Sequence, residues 1–198
     1  PSLEMLDDWV AEGYDLVESH QDTRAVGVWL RVWDVVRVRL RPSMTTFGEA
    51  DAVFECSQSF GNWIQDFTIA IHNAARGNPA CAETGIRVLR DALRLFPDED
   101  EIEIANMRGD LGRLLFAAGR PEEGEAALTA AIREHPRWPH GYVALADELS
   151  GPGSTGEEVA RALRWLETAW NLPVEDAESW DIEPRIADLK ARLAASVD

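Results

Sequence analysis

The fold is decided by residues 124–136, GEAALTAAIREHP, together with residues 85–97, GIRVLRDALRLFP. In each stretch a glycine is followed by leucine four residues later, by alanine seven residues later and by proline twelve residues later. Apolar residues recur every three or four positions before the proline, which is the period of an amphipathic helix that a proline ends. The two stretches therefore predict equivalent helices of a repeated unit, with small residues where another helix approaches closely.

The same spacing continues on both sides of these helices. Gly112 lies 12 residues before Gly124, and Ala146 occupies the position of Gly112 again 34 residues later. Near the amino terminus, Gly13 and Ala25 are also 12 residues apart. Since internal periodicity defines the fold of a repeat protein, the chain is predicted to consist of successive helix pairs.

These spacings resemble the tetratricopeptide repeat, a helix–turn–helix unit of about 34 residues. The resemblance covers residues 7–37 and 85–173 and is strongest over residues 105–149. It implies one all-α domain over residues 1–198, a solenoid in which antiparallel helix pairs stack into a right-handed superhelix closed by a C-terminal capping helix. The expected elements are repeat-like pairs at about residues 3–41, 62–97 (irregular), 105–136 and 139–173, an inserted or degenerate helix at 46–59 and a cap at 182–196.

A narrower resemblance is to the repeat region of bacterial proteins that carry a terminal SEC-C zinc motif. It rests on four segments: WLRVWDV at 29–35, FGNWIQDF at 60–67, NMR at 106–108 and PRWPHGY at 136–142. The zinc motif itself needs clustered cysteines, which this sequence does not contain. Basic residues are arginine except for Lys190, a bias that we interpret as the codon usage of a GC-rich, bacterial genome.

Composition narrows the class of partner. The 198 residues include 36 acidic and 19 basic side chains, which give a formal net charge of −17. Nucleic acid and anionic membranes both require concentrated positive charge, so neither is expected as a partner. The longest stretch without Asp, Glu, Lys or Arg is residues 56–65, too short for a membrane-spanning helix.

The cysteine content indicates location and excludes one kind of metal site. Cys56 and Cys81 are the only cysteines, which cannot form a disulfide framework or, on their own, a four-ligand zinc site. We therefore expect a cytoplasmic protein. No metal site and no cofactor are predicted, because the sequence also has no phosphate-binding loop and no dinucleotide fingerprint.

The candidate binding residues follow from the geometry of the repeat. First helices of the pairs line an extended concave surface, and positions seven residues apart share one helical face. Acidic side chains there favour a basic or neutral protein or peptide segment as partner, whereas a solvated face without a partner is the simpler interpretation of each residue. The candidates are Asp7, Tyr14, Asn62, Asp66, Asn73, Asn106, Arg113, His140 and Asp147.

Two other functions stay open beside that of a non-catalytic interaction scaffold. Trp138, Trp170 and Trp180 lie near predicted helix ends, where partly exposed aromatic rings could form a homodimer interface; monomer and homodimer are both compatible with the sequence. A hydrolase-like site could use Cys56, His72 and Asp66. Nothing in the spacing places a nucleophile beside its base, so we do not predict an enzyme.

Overall fold

The computed structural model describes residues 1–173 and 180–195, which form ten α-helices. No strand occurs in these ranges, so the predicted all-α class is confirmed. Within them no helix combines the length and the apolar character that crossing a membrane requires. The helices are α1 Leu3–Glu18, α2 Asp22–Arg39, α3 Phe47–Phe54, α4 Phe60–Ala75, α5 Pro79–Leu95, α6 Glu101–Ala117, α7 Pro121–Glu134, α8 Pro139–Leu149, α9 Gly156–Trp170 and α10 Ile182–Ala195.

Local sequence signals explain where several helices begin. Thr46 and Glu49 form a capping box at α3, and Thr155 and Glu158 form one at α9. In each box the hydroxyl accepts a backbone N–H that would otherwise have no partner in the helix. Hydrogen bonds from the backbone N–H groups of Thr45 and Thr155 lower the pKa of Glu49 and Glu158, respectively. Prolines occupy the first turns of three helices at Pro79, Pro121 and Pro139.

The helix expected at residues 46–59 is shorter in the structure. It ends at Phe54 because Glu55 adopts a left-handed conformation with φ of 44°. A side chain then fixes the turn into α4, since Asp51 Oδ1 accepts the N–H of Phe60 at 2.7 Å. Glutamate rarely occupies this backbone region, so no local signal predicts the end of the helix.

The chain forms two compact units. The first unit comprises residues 1–104 and 117–119, and the second comprises residues 105–116 and 120–198. In the first unit α2 packs against both α1 and α4, and α4 packs against α5. In the second unit α8 packs against α7 and α9, and α9 packs against α10.

Aromatic rings fill the core of the first unit. Trp63 stacks on Phe67 with ring centroids 5.5 Å apart, and Trp29 meets Phe67 edge to face at 6.0 Å. Trp29 is fully buried because α1 approaches α2 closely at Gly13, where a Cβ atom would lie only 1.9 Å from Trp29 Nε1. The small residue of the sequence pattern is therefore required by the packing of these two helices.

Glycines also allow two helices of the second unit to approach closely. A Cβ atom on Gly112 would lie 2.6 Å from Leu128 Cγ, and one on Gly124 would lie 2.8 Å from the carbonyl oxygen of Gly112. Leu128 is completely buried and belongs to a core that extends through α8 and α9 to Leu189 of α10. Glycines twelve residues apart thus allow α6 and α7 to pack together closely.

Candidate functional site

In the first unit, the predicted residues Tyr14 and Asp66 meet. The Tyr14 hydroxyl on α1 donates a hydrogen bond of 2.8 Å to Asp66 Oδ2 on α4. Burial, together with this bond and the Asp66 charge, raises the pKa of Tyr14 well above its ordinary value. Tyr14 therefore stays a neutral donor near pH 7, and its bond joins two helices that are not consecutive in the sequence.

The other predicted residues of the first unit are used differently. Asp7 Oδ1 accepts the backbone N–H of Ser57 at 2.7 Å, which ties α1 to the loop after α3. Asn62 and Asn73 are exposed on α4. These side chains form a polar surface but not a convergent site.

The second unit brings three predicted residues together around one cavity of about 200 Å³. Arg113 comes from α6, whereas His140 and Asp147 come from the two ends of α8. Trp180, which precedes α10, and Arg185 in the first turn of α10 also line the cavity. The lining is completed by Val143, Ala144 and Asp181.

Each of the two arginines that line this cavity lies close to a carboxylate. Arg113 Nε lies 3.5 Å from Glu148 Oε1, and the guanidinium of Arg185 pairs with the Asp147 carboxylate. The Nε atoms of both arginines are buried and make no hydrogen bond within the described part of the chain. The cavity therefore contains cations whose charge is already compensated and whose hydrogen-bonding capacity is only partly used.

Aromatic packing fixes one wall of the cavity. The His140 ring stacks on Trp180 with centroids 5.2 Å apart and an interplanar angle of 18°, and Trp138 meets it edge to face at 5.5 Å. Trp138 Nε1 donates a hydrogen bond of 3.2 Å to Asn106 Oδ1. The side-chain oxygen of Asn106, a residue that the spacing predicts on the binding surface, thus satisfies a buried indole.

A second cavity of about 500 Å³ shares Asp147 and Arg185 with the first. It follows α10 to Asp188 and Arg192, and Arg192 Nη1 donates a hydrogen bond of 2.8 Å to the carbonyl oxygen of Ser150. We call the two cavities together the α8–α10 groove. Sequence analysis missed the contribution of α10, although the seven-residue spacing of Arg185 and Arg192 marks a single helical face.

Two residues of the hydrolase-like alternative, Cys56 and Asp66, are engaged by other groups. The Cys56 thiol donates to the carbonyl oxygen of Phe54, and burial together with the Asp7 charge raises its pKa to about 12. At pH 7 a thiol with that pKa is almost entirely protonated, so very little of it is the nucleophilic thiolate. Asp66 is engaged by Tyr14, and no group of three or more His, Cys, Asp or Glu side chains among the described residues is placed to hold a metal ion.

The three tryptophans of the self-association alternative differ in exposure. Trp138 is only 5% exposed, so its predicted role as a partly exposed anchor is wrong. Trp180 is half-buried on the ring of His140. Trp170 alone among the three is open to solvent, with 43% of its surface exposed.

Comparison with known proteins provides no assignment. A scan against family models found no matching family, and searches of curated proteins and of solved structures found no match. Function is therefore inferred from the chain's own residues.

Proposed function

We propose that the chain is a non-catalytic interaction module of the tetratricopeptide type, which binds a basic or neutral segment of another protein on the concave surface lined by the first helices of its pairs. In the second unit this surface is the α8–α10 groove. The groove is formed by α6 and α8, which are the first helices of successive pairs in the repeat scheme, together with the capping helix α10. We expect this module to act in the cytoplasm and to need no cofactor.

The proposal is supported by polar side chains that link helices that are not consecutive in the sequence. In a stack of helix pairs, the first helix of one pair lies beside the first helix of the next, and these helices line a common surface. Each unit contains such links between helices that are not consecutive. The links are Tyr14 to Asp66 between α1 and α4, Arg113 to Glu148 between α6 and α8, and Asp147 to Arg185 between α8 and α10.

The net charge of the chain favours the proposed partner class. Within the groove Arg113 and Arg185 already have carboxylate partners, so a charged ligand of either sign would have to exchange one of these ion pairs. The chain as a whole carries a net charge of −17, which repels acidic segments and accelerates association with basic ones. A basic segment therefore gains from long-range attraction, and a neutral segment avoids the repulsion.

An exchange of charges within one ion pair tests the groove. The double variant Asp147→Arg/Arg185→Asp keeps an ion pair but reverses its direction across the groove. Its matched control is Glu125→Arg/Arg161→Glu, which reverses the pair that joins α7 to α9. Proteins captured from a lysate of the source organism are compared at about 0.1 and 0.5 M salt, because Debye screening grows over this range.

We expect a partner that the wild-type chain and the α7–α9 control retain but that the groove variant loses. Circular dichroism and urea unfolding of the three proteins establish that the charge exchanges leave the fold intact. Equal capture by all three proteins would show that the α8–α10 groove is not the binding surface. Failure of the wild-type chain to capture any protein at either salt concentration would contradict the interaction function itself.

A further inference from the structure

Trp170 differs from every other tryptophan of the chain. The sequence contains eight tryptophans, and the rings of seven contact another ring or a cation within the described residues. Trp170, the last residue of α9, has no such contact in the described part of the chain and is 43% exposed. Tryptophan dominates the energetically important positions of protein interfaces, so an exposed indole without a ring partner marks a candidate contact surface.

A cavity of about 440 Å³ lies beside this ring, on the flank of α10 that packs against α9. Lys190 Nζ lies 3.0 Å from Glu167 Oε1, so the charges of these two residues compensate each other. Glu183 is exposed and adds a carboxylate, which leaves the cavity with a net negative charge. We call this surface the Trp170 pocket; its lining is Glu167, Trp170, Asn171, Glu183, Ile186 and Lys190.

In the first unit, an arginine side chain occupies a similar combination of an indole ring and a carboxylate. The guanidinium of Arg31 lies over the Trp9 ring, with Cζ 4.9 Å from the centroid. Arg31 Nη2 also lies 3.7 Å from Glu12 Oε2. An indole face and a carboxylate thus hold an arginine together, and the Trp170 pocket presents the indole and the carboxylate without an arginine.

We propose that the Trp170 pocket binds an arginine side chain of a partner protein. The planar guanidinium stacks on the exposed indole while it pairs with the Glu183 carboxylate. Lysine fits less well because its compact ammonium ion cannot stack on a ring. A second copy of the chain is a poorer occupant, since each copy carries a net charge of −17 and two pockets facing each other would juxtapose their carboxylates. The site is separate from the α8–α10 groove, so its test does not depend on that groove.

The test compares two fluorescein-labelled octapeptides, one alternating glycine with arginine and the other alternating glycine with lysine. Fluorescence anisotropy gives their dissociation constants for the full chain at about 0.05 M and 0.3 M salt. We expect the arginine peptide to bind more tightly than the lysine peptide, by at most about two- to fivefold, because that factor corresponds to a whole exposed cation–π contact and lysine retains part of it. Trp170→Leu should abolish this preference, and Trp170→Phe should retain part of it.

The carboxylate is tested with a matched charge control. Glu183→Gln should weaken both peptides by a similar factor, whereas Glu157→Gln, which removes an exposed charge at the start of α9, should change neither constant appreciably. Equal affinity of the two peptides for the wild-type chain, or an arginine preference that survives in Trp170→Leu, would overturn the proposal. Light scattering that shows a wild-type dimer converted to a monomer by Trp170→Leu would assign the pocket to a second copy instead.

Discussion

Gly13→Ala is the sharpest test of the packing that the repeated spacing predicts. The added methyl group would lie 1.9 Å from Trp29 Nε1, where ordinary contact begins at 3.4 Å. Trp29 is fully buried and rests against Tyr14 and Phe67, so the ring has no open space to enter. Either α1 must move away from α2 by about 1.5 Å or the indole must leave its position.

The magnitude follows from three contributions. Overpacking of a core costs about 1–3 kcal/mol. The hydrogen bond of 3.1 Å from Trp29 Nε1 to the carbonyl oxygen of Val10 is lost when the indole moves, and an unsatisfied buried donor costs about 1–3 kcal/mol. Alanine returns about 1 kcal/mol through its higher helix propensity. We therefore expect Gly13→Ala to lower the free energy of unfolding by about 1–5 kcal/mol.

Gly27→Ala is the matched control, because Gly27 lies in α2 and a Cβ atom there would meet nothing within 4 Å. Only the contribution from helix propensity remains at this position, so the control substitution should raise the free energy of unfolding by about 0.5–1 kcal/mol. Urea unfolding followed by far-UV circular dichroism compares the two variants with the wild-type chain. If Gly13→Ala proved as stable as Gly27→Ala, the close approach of α1 and α2 at Gly13 would be refuted.

Three further predictions concern individual side chains. Tyr14→Phe should cost about 1 kcal/mol through loss of the bond to Asp66. The folded state raises the pKa of Tyr14, so the wild-type chain should lose this stabilisation as the pH rises above about 10, the ordinary pKa of tyrosine. Urea unfolding midpoints between pH 9 and 11 should therefore fall more steeply for the wild type than for Tyr14→Phe. Cys56, whose pKa is raised to about 12, should react with iodoacetamide at pH 8 far more slowly than free cysteine does; rapid alkylation detected by mass spectrometry would restore the nucleophile hypothesis. Asn106→Ala should destabilise the chain by about 1–3 kcal/mol in urea, because it leaves the buried Trp138 N–H without its acceptor; an unchanged midpoint would return Asn106 to the binding surface.

The helices could be predicted because their signals are local. Periodic apolar residues, capping residues and prolines act within one or two turns, and the glycines at positions 13, 112 and 124 mark the close approaches that the structure contains. The end of α3 could not be predicted, since the left-handed conformation of Glu55 is rare for glutamate and the bond from the N–H of Phe60 to Asp51 joins residues nine positions apart.

The candidate site was partly predictable for the same reason. Spacing assigned Arg113, His140 and Asp147 to one face, and these residues line one cavity. Spacing could not show that Asn106 turns to the Trp138 indole, because 32 residues separate the two side chains. The contribution of Arg185 was missed for a similar reason, since its partner Asp147 lies 38 residues away on another helix.

The two flanks of α10 differ in how binding can gain free energy. In the α8–α10 groove Arg113 and Arg185 already have carboxylate partners, so a charged ligand exchanges one partly exposed ion pair for another. Such pairs contribute only about 0–1 kcal/mol each. Charges arranged in this way select a partner and steer its approach more than they hold it. At Trp170 a large apolar ring is open to solvent, and covering it adds hydrophobic free energy that salt does not screen. A partner that contacts both flanks would therefore be selected mainly by the groove and retained mainly by Trp170.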